Sequence, residues 1–391
     1  MTAAPPRGFD AAEFRARTAR AQTLMAGAGL DAVLLTTEPE VRYFSGLLTP
    51  FWQSPTRPWF LIVPAAGGPV AVVPEIGAGA VRATWLPDVR SWPSPRPDDE
   101  GVGLLADTLV ELCGAQARLG VPMGAETHLR MPLVDYHRLL ERLPGWSVAD
   151  ATDVVRRLRM VKSRAEVAKI AHVCGLVSRV FEELPSRLSA GMTERAVFRD
   201  FKIACLEAGA DDVGYLVGGA GPGGVADIIS PPTDRPLARG DLLMLDTGCL
   251  FDGYWCDFDR NYALGPPGDP LKRAHAALYA ATQAGFDAAR PGATCAEVFH
   301  AIAAALAAAA GDARAGAAVG RMGHGLGMQL TEWPSITPDD RTELVPGMVL
   351  TLEPGLEVGA GRAMVHEENI VITDTGACWL TRRAPADLPV I

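Results

Sequence analysis

The stretch DLLMLDTGCLFDGYWCDFDRNY (Asp241–Tyr262) decides the fold. Leu242 to Leu245 is a short apolar run, and Asp252-Gly253 is a turn dipeptide whose two residues tolerate positive φ. Tyr254 to Tyr262 reads as the returning strand. With a two-residue turn, Gly248 faces Asp257 and Asp246 faces Asp259. Side chains two apart share a face, so Asp246, Asp257 and Asp259 project to one side. Three clustered carboxylates repel one another, and a divalent cation resolves that repulsion. The competing reading is a solvated strand face.

Outward from the hairpin, three segments extend this pattern. Gly323-His324-Gly325-Leu326-Gly327 sets an imidazole between glycines, where backbone can approach closely. Leu352-Glu353-Pro354-Gly355 ends an apolar strand on a carboxylate and a turn. Val365-His366-Glu367-Glu368-Asn369-Ile370 puts an acidic pair inside a segment, Ala363 to Thr373, that otherwise reads as a core strand. Burying such carboxylates unpaired is prohibitive. His366 neighbours Glu367 but should point to the opposite face.

The chain has 391 residues, enough for two domains, with 48% hydrophobic and 21% charged residues. A net charge of −10 argues against nucleic-acid or anionic-membrane partners. The seven cysteines are scattered and form no C-x-x-C pair, which fits reduced thiols and a cytoplasmic setting. No apolar run reaches membrane-spanning length, and the first ten residues do not read as a signal peptide.

The first 150 residues or so alternate helical and strand patterns: a helix over Ala11–Leu30, strands at Asp31–Thr37, Trp59–Val63 and Val70–Val73, and helices at Val102–Leu112 and Leu133–Leu140. This predicts a small α/β domain over residues 1–155. Between its strands, Thr49–Trp59 is a proline-broken loop carrying Trp52 and Arg57, residue types that serve as contact anchors. Residues 156–391 form the second domain. It opens with the capping box Ser163-x-x-Glu166 and a helical stripe to Phe181, then a helix over Thr193–Ala208. Gly214–Gly224 is glycine-rich but lacks the G-K-[ST] ending of a phosphate loop, so it reads as a strand under close backbone approach. Two alanine-rich helices, Leu271–Arg290 and Thr294–Ala310, follow the hairpin, and a strand is expected at Met348–Leu352.

Asp246, Asp257, His324 in GHGLG, Glu353 in LEPG and Glu367 before an apolar strand resemble, in type and order, the ligands of the pita-bread metallohydrolases of peptidase family M24. That group includes methionine aminopeptidase, Xaa-Pro aminopeptidase and dipeptidase, and creatinase. The resemblance covers about Arg159 to Ile391. Val41-Arg-Tyr-Phe-Ser-Gly46 adds a likeness to the creatinase-type N-terminal domain. The implied fold is α+β, a pita-bread domain behind a smaller α/β domain. The resemblance implies two divalent ions (Mn, Co, Fe or Zn). Asp257 and Glu367 would bridge them, Asp246 would hold one, and His324 with Glu353 the other. A metal-bridging hydroxide would attack a peptide bond, and Glu353 would shuttle the proton. It implies a homodimer in which Trp52 or Arg57 reaches the neighbouring site.

The departures are specific. Family peptidases carry a histidine where this chain has Ile229, another where it has Thr331 (in Thr331-Glu332-Trp333-Pro334), an arginine at Val365 and a threonine at Asp259. Substrate contacts are expected from Asp259, Thr331, Glu332, Trp52, Arg57 and His366, with Asp259 an extra ligand or a counter-ion for a cationic substrate. The expected activity is that of an Xaa-Pro dipeptidase or aminopeptidase. The alternatives are a C–N hydrolase or lyase acting on a small cationic or zwitterionic compound, as creatinase and ectoine hydrolase do, and a catalytically inactive binding module.

Overall fold

A computed structural model describes residues 3–54, 57–189, 191–309, 320–359 and 361–391. Pro55 and Thr56 of the proline-broken loop and Ala310 of the expected second alanine-rich helix lie outside the described residues. The chain divides into two compact units, one of Pro6–Arg159 and one dominated by Met160–Ile391.

In the first unit, α1 (Ala11–Ala28) starts at Asp10, whose carboxylate accepts from the Glu13 N–H, and stops at Gly29 in the left-handed conformation. After it come β1 (Ala32–Leu35), α2 (Glu38–Ser45), β2 (Phe60–Pro64), β3 (Val70–Pro74), α3 (Glu75–Arg82), β4 (Asp88–Trp92), α4 (Val102–Cys113), β5 (Arg118–Val121), α5 (Leu133–Arg142), β6 (Ser147–Asp150) and α6 (Thr152–Met160). The strands form one mixed six-stranded sheet in the order β4-β3-β2-β1-β5-β6. Leu34, Ile62, Val72, Leu105, Leu109 and Leu139 fill the core on one face.

The second unit repeats one scheme, a helix pair followed by a sheet. The first pair is α7 (Arg164–Arg187) and α8 (Glu194–Ala208). Ser163 and Glu166 close a capping box at the start of α7. The sheet that follows contains β7 (Asp212–Pro222), β8 (Asp241–Phe251), β9 (Tyr254–Trp255) and β10 (Phe258–Ala263). The second pair is α9 (Asp269–Ala288) and α10 (Cys295–Ala309). Then come β11 (His324–Gly325), β12 (Glu332–Ser335), β13 (Val349–Leu352), β14 (Gly355–Gly359), β15 (Arg362–Val365), β16 (Glu368–Ile372) and β17 (Ala377–Trp379). Five of these form a sheet in the order β12-β11-β13-β16-β17, while β14 and β15 make a separate hairpin. Leu278, Ile302, Leu350, Leu352 and Ile370 belong to one core between the second helix pair and these strands.

The β8–β9 turn has Asp252 at φ 48° and Gly253 at φ 75°, the backbone that a two-residue hairpin needs. Asp246 faces Asp259 in the ladder. The glycine-rich segment is β7, antiparallel to β8. At Gly218, with φ 115°, any Cβ would strike the Met244 carbonyl. Two expected strands are broken rather than continuous. Tyr254–Tyr262 is interrupted at Cys256-Asp257, and Ala363–Thr373 at His366-Glu367. At each break the main-chain N–H of the acidic residue is taken by a side chain of the other segment, Asn369 for Asp257 and Asp259 for Glu367, whereas the N–H groups of Cys256 and His366 go to the Cys249 and Pro354 carbonyls. All seven cysteines are free. No described helix is long and apolar enough to cross a membrane.

Candidate metal centre

Four of the polar groups sit in ladders or beside them. Asp246 lies midway along β8, Asp259 on β10, His324 opens β11, and Glu353 follows the last residue of β13. Asp257 and Glu367 occupy the two strand breaks. At Gly323, φ is 135° and an added Cβ would meet the Thr351 carbonyl, so only glycine lets the backbone carry His324 this close to β13.

One ligand atom each of Asp257, His324 and Glu367 lie within 4.8 Å of one another, and all three residues are buried. His324 Nε2 stands 3.4 Å from Asp257 Oδ2 and 3.9 Å from Glu353 Oε2. Its Nδ1 lies 2.8 Å from the Gly325 carbonyl. A carbonyl only accepts, so Nδ1 carries the proton and the Nε2 lone pair faces the carboxylates. Burial, followed by the Arg321 charge, drives the His324 pKa down to about 3, so the imidazole itself takes up no second proton.

The carboxylates show the same strain. Burial and the Glu353 charge push Asp246 up to about 8. Burial, with Asp246 and Glu353, raises Asp257 far above the carboxylate range. Burial, then Asp257, does the same to Glu367. Glu353 is raised by burial, against the opposing pull of Arg321. Asp246 Oδ1, Glu353 Oε2 and Glu367 Oε1 are buried without a hydrogen-bond partner. Buried acceptors with no donor, gathered around an imidazole lone pair, fit divalent cations.

The supporting groups are unusually reciprocal. The Asp257 N–H donates to Asn369 Oδ1 at 3.0 Å, and Asn369 Nδ2 donates back to the Asp257 carbonyl. The Glu367 N–H donates to Asp259 Oδ1, while Asp259 Oδ2 accepts from Asn261 Nδ2 at 2.7 Å. Buried Arg260 donates to the carbonyls of Asp259 and Glu367 and, at 2.9 Å, to Glu368 Oε2.

The expected substrate residues separate. Asp259 is committed to the scaffold through both oxygens. Glu332 is buried too: one oxygen accepts from the Met328 and Gln329 N–H groups, and the other pairs with Lys162 Nζ at 3.1 Å. That binding shapes the loop after His324 and does not leave Glu332 pointing at substrate. His366 is buried against α9, its Nδ1 2.9 Å from Thr282 Oγ1 and its ring edge-on to Tyr279, so it belongs to the core. Thr331 is half-buried and accepts from Arg321 Nη2 at 3.4 Å. Ile229 is 70% exposed, whereas Val365 is buried beside Val225 and Met244. In the first unit, Trp52 and Arg57 are half-buried, and Arg130 knits their loop by donating to the carbonyls of Trp52 (3.3 Å) and Arg57 (3.0 Å).

Sequence reasoning missed Arg321, Asn369, Arg260, Tyr215 and Arg130. Tyr215 is half-buried, and its hydroxyl pKa is raised by burial and then by Asp246, Asp257, Glu367 and Glu353. Spacing could have flagged Asn369, two beyond Glu367 as Asp259 is two beyond Asp257; Arg130 had no local signal.

Two sheets, each backed by a helix pair, that close on four carboxylates and one imidazole define a metal-dependent hydrolase. Residues 168–374 match the model of metallopeptidase family M24, and residues 17–161 match the creatinase/prolidase N-terminal domain. The chain belongs to family M24 and has its pita-bread fold. It is 32% identical over 395 residues to the probable dipeptidase PepE of Mycobacterium tuberculosis, covering 98% of each chain. It is 29% identical over 266 residues to the Xaa-Pro dipeptidase of Pyrococcus furiosus, covering 66% of this chain and 73% of that one. The crystal structure of dipeptidase PepE from Mycobacterium ulcerans superposes with a TM-score of 0.84 at 33% identity, over 98% of this chain and 99% of the other.

Proposed function

We propose that the chain is a dinuclear metallopeptidase of the Xaa-Pro dipeptidase/aminopeptidase type, acting on short peptides. Asp246, Asp257, His324, Glu353 and Glu367 would hold the two divalent cations (Mn, Co, Fe or Zn). Bound there, the cations polarise a substrate carbonyl and acidify water. One observation carries this reading: the His324 lone pair faces Asp257 and Glu353 at 3.4 and 3.9 Å. Glu353 is the acid–base group. Its Oε2 has no hydrogen-bond partner, and burial raises its pKa toward the range where it can take and return a proton. Asn369, Asp259 and Arg260 fix the main chain of the two candidate bridging carboxylates, which keeps the reacting groups in register.

The names of the relatives support a dipeptide substrate. The absence of histidine at Ile229 and Thr331 favours the rival reading, a hydrolase of small cationic compounds. Asp259 weighs against it, because the carboxylate suited to a cationic substrate is already bonded inside the protein. We further propose a homodimer in which the loop bearing Trp52 and Arg57 contacts the neighbouring protomer's substrate. A Trp52→Ala, Arg57→Ala double variant with unchanged kinetic constants would exclude that arrangement.

The deciding experiment is turnover by protein loaded with Mn, Co or Zn on Xaa-Pro dipeptides, other dipeptides, longer peptides, creatine and ectoine. Metal-dependent cleavage of dipeptides is expected. Activity confined to creatine or ectoine would overturn the peptidase reading.

A further inference from the structure

Strand β17 pairs with β16 through Ile370↔Trp379, Val371↔Cys378 and Ile372↔Ala377, and the ladder then runs out two residues short of Glu368. Leu380 still contributes, its N–H donating to the Asn369 carbonyl at 2.9 Å. The Asn369 N–H goes instead to a side chain, donating to Thr381 Oγ1 at 3.3 Å. The same hydroxyl donates to Glu368 Oε2. The partners fix both directions, since a main-chain N–H only donates and a carboxylate held by a guanidinium only accepts. Thr381 is 5% exposed, so bulk water does not compete for either bond.

The two residues that Thr381 joins are the two that follow Glu367. Asn369 grips Asp257 through its amide. Glu368 is fully buried, with Oε2 also accepting from Arg260 at 2.9 Å and Oε1 from the Ala384 N–H at 2.8 Å. In the ladder Glu368 faces Leu352, the residue before Glu353, and Asn369 faces Thr351. Thr351 Oγ1 in turn accepts from the His324 N–H at 3.1 Å. A shift at the start of β16 therefore reaches Glu367 along the chain and Asp257 through the Asn369 amide. It reaches Glu353 and His324 through β13. Among the described residues Thr381 has no hydrogen bond to a candidate ligand, so any influence it has on the centre passes through Asn369 and Glu368.

We propose that Thr381 is a positioning residue of the metal centre: its hydroxyl, bonded at once to the Asn369 N–H and the Glu368 carboxylate, fixes the start of β16 and with it the spacing of Asp257, Glu353 and Glu367 about the metals. This role rests on the reading of those groups as metal ligands and is independent of which substrate is cleaved.

The test compares Thr381→Val, Thr381→Ala and Thr381→Ser with the parent chain. Each is titrated with Mn, and each is loaded with Co, whose visible bands follow the geometry of its ligands. Outer-shell groups carry about 10- to 100-fold of metal affinity. Thr381→Val and Thr381→Ala should bind Mn about 10-fold or more weakly and shift the Co bands. Thr381→Ser keeps both bonds, and should stay within about threefold of the parent with the parent's spectrum. Thermal midpoints identify a variant that fails to fold. If Thr381→Val does so, Thr381→Ala and Thr381→Ser decide. Parent-like affinity and spectrum in Thr381→Ala, even with a lowered midpoint, would overturn the role and leave Thr381 a stabilising residue alone. Equal losses in Thr381→Ala and Thr381→Ser would overturn it too, because the hydroxyl would not be the cause. A parent chain that takes up neither Mn nor Co would sink the proposed function and this role together. A parent that binds both metals, with variants that match it, would sink this role alone.

Discussion

Asn369 holds Asp257 by both of its main-chain polar groups, its Oδ1 accepting from the Asp257 N–H at 3.0 Å and its Nδ2 donating to the Asp257 carbonyl. Asn369→Ala strips both bonds from a fully buried segment. Outer-shell partners of this kind are worth about 10- to 100-fold in metal affinity, and two unsatisfied backbone groups cost about 2–4 kcal/mol. Titration of Mn into the variant should show the weaker affinity, and chemical denaturation the lost stability. Parent-like metal affinity would show that Asp257 is held in place by other means.

Asp259 distinguishes an anchor from a ligand. Asp259→Asn keeps an oxygen for the Glu367 N–H but turns a second amide donor toward Asn261. Two metals per chain should still bind, more weakly, and stability should drop by about 1–3 kcal/mol. Elemental analysis counting one metal fewer would make Asp259 a ligand after all.

Lys162 and Glu332 form a buried pair in which only the glutamate has further partners on the loop after His324. Lys162→Met leaves that carboxylate uncompensated, at a cost of about 3–5 kcal/mol. Lys162→Met combined with Glu332→Gln should regain more than half of it. A denaturation series on the three variants checks this, and an additive double variant would argue against coupling.

The Asp241–Arg235 pair fixes the start of β8 and predicts a pH dependence. Burial works against the charged form of Asp241, but the two Arg235 bonds and the Ala238 N–H outweigh it and hold the carboxyl below its ordinary 3.8. A depressed folded pKa stabilises above the unfolded value and ceases to do so as pH falls through the folded one. Asp241→Asn should therefore lower stability at pH 7 by about 1–2 kcal/mol, a figure discounted because Arg235 is partly exposed. The gap between variant and parent should narrow below about pH 3. Melting curves at both pH values measure it, and a constant gap would rule out this pair as the cause.

Much of the fold was legible because apolar periodicity and turn chemistry are local. Asp252-Gly253 gave the hairpin and its register, and Ser163-x-x-Glu166 gave the start of α7. The ligand types of the candidate centre were readable as carboxylates that no core strand tolerates unpaired. The strand breaks at Asp257 and Glu367 were not readable, since apolar neighbours on each side mask a kink that depends on Asn369 and Asp259, 112 and 108 residues away in sequence. The same distance hid the true employment of Glu332 and His366, whose partners Lys162 and Thr282 lie 170 and 84 positions off. Arg321 escaped notice because a lone cation beside a glycine turn has no pattern of its own.

The handclasp between the two broken strands has an implication for how this domain comes into being. The segment bearing Asp257 borrows its shape from Asn369, and the one bearing Glu367 borrows its shape from Asp259. Neither half of the domain, synthesised alone, carries the means to set its own acidic tip. The centre is thus completed only when the last strands of the chain arrive: a polypeptide ending between residues 353 and 366 would retain four of the five candidate ligand positions, and one ending at residue 367 or 368 all five, yet both would lack the grip that aims Asp257.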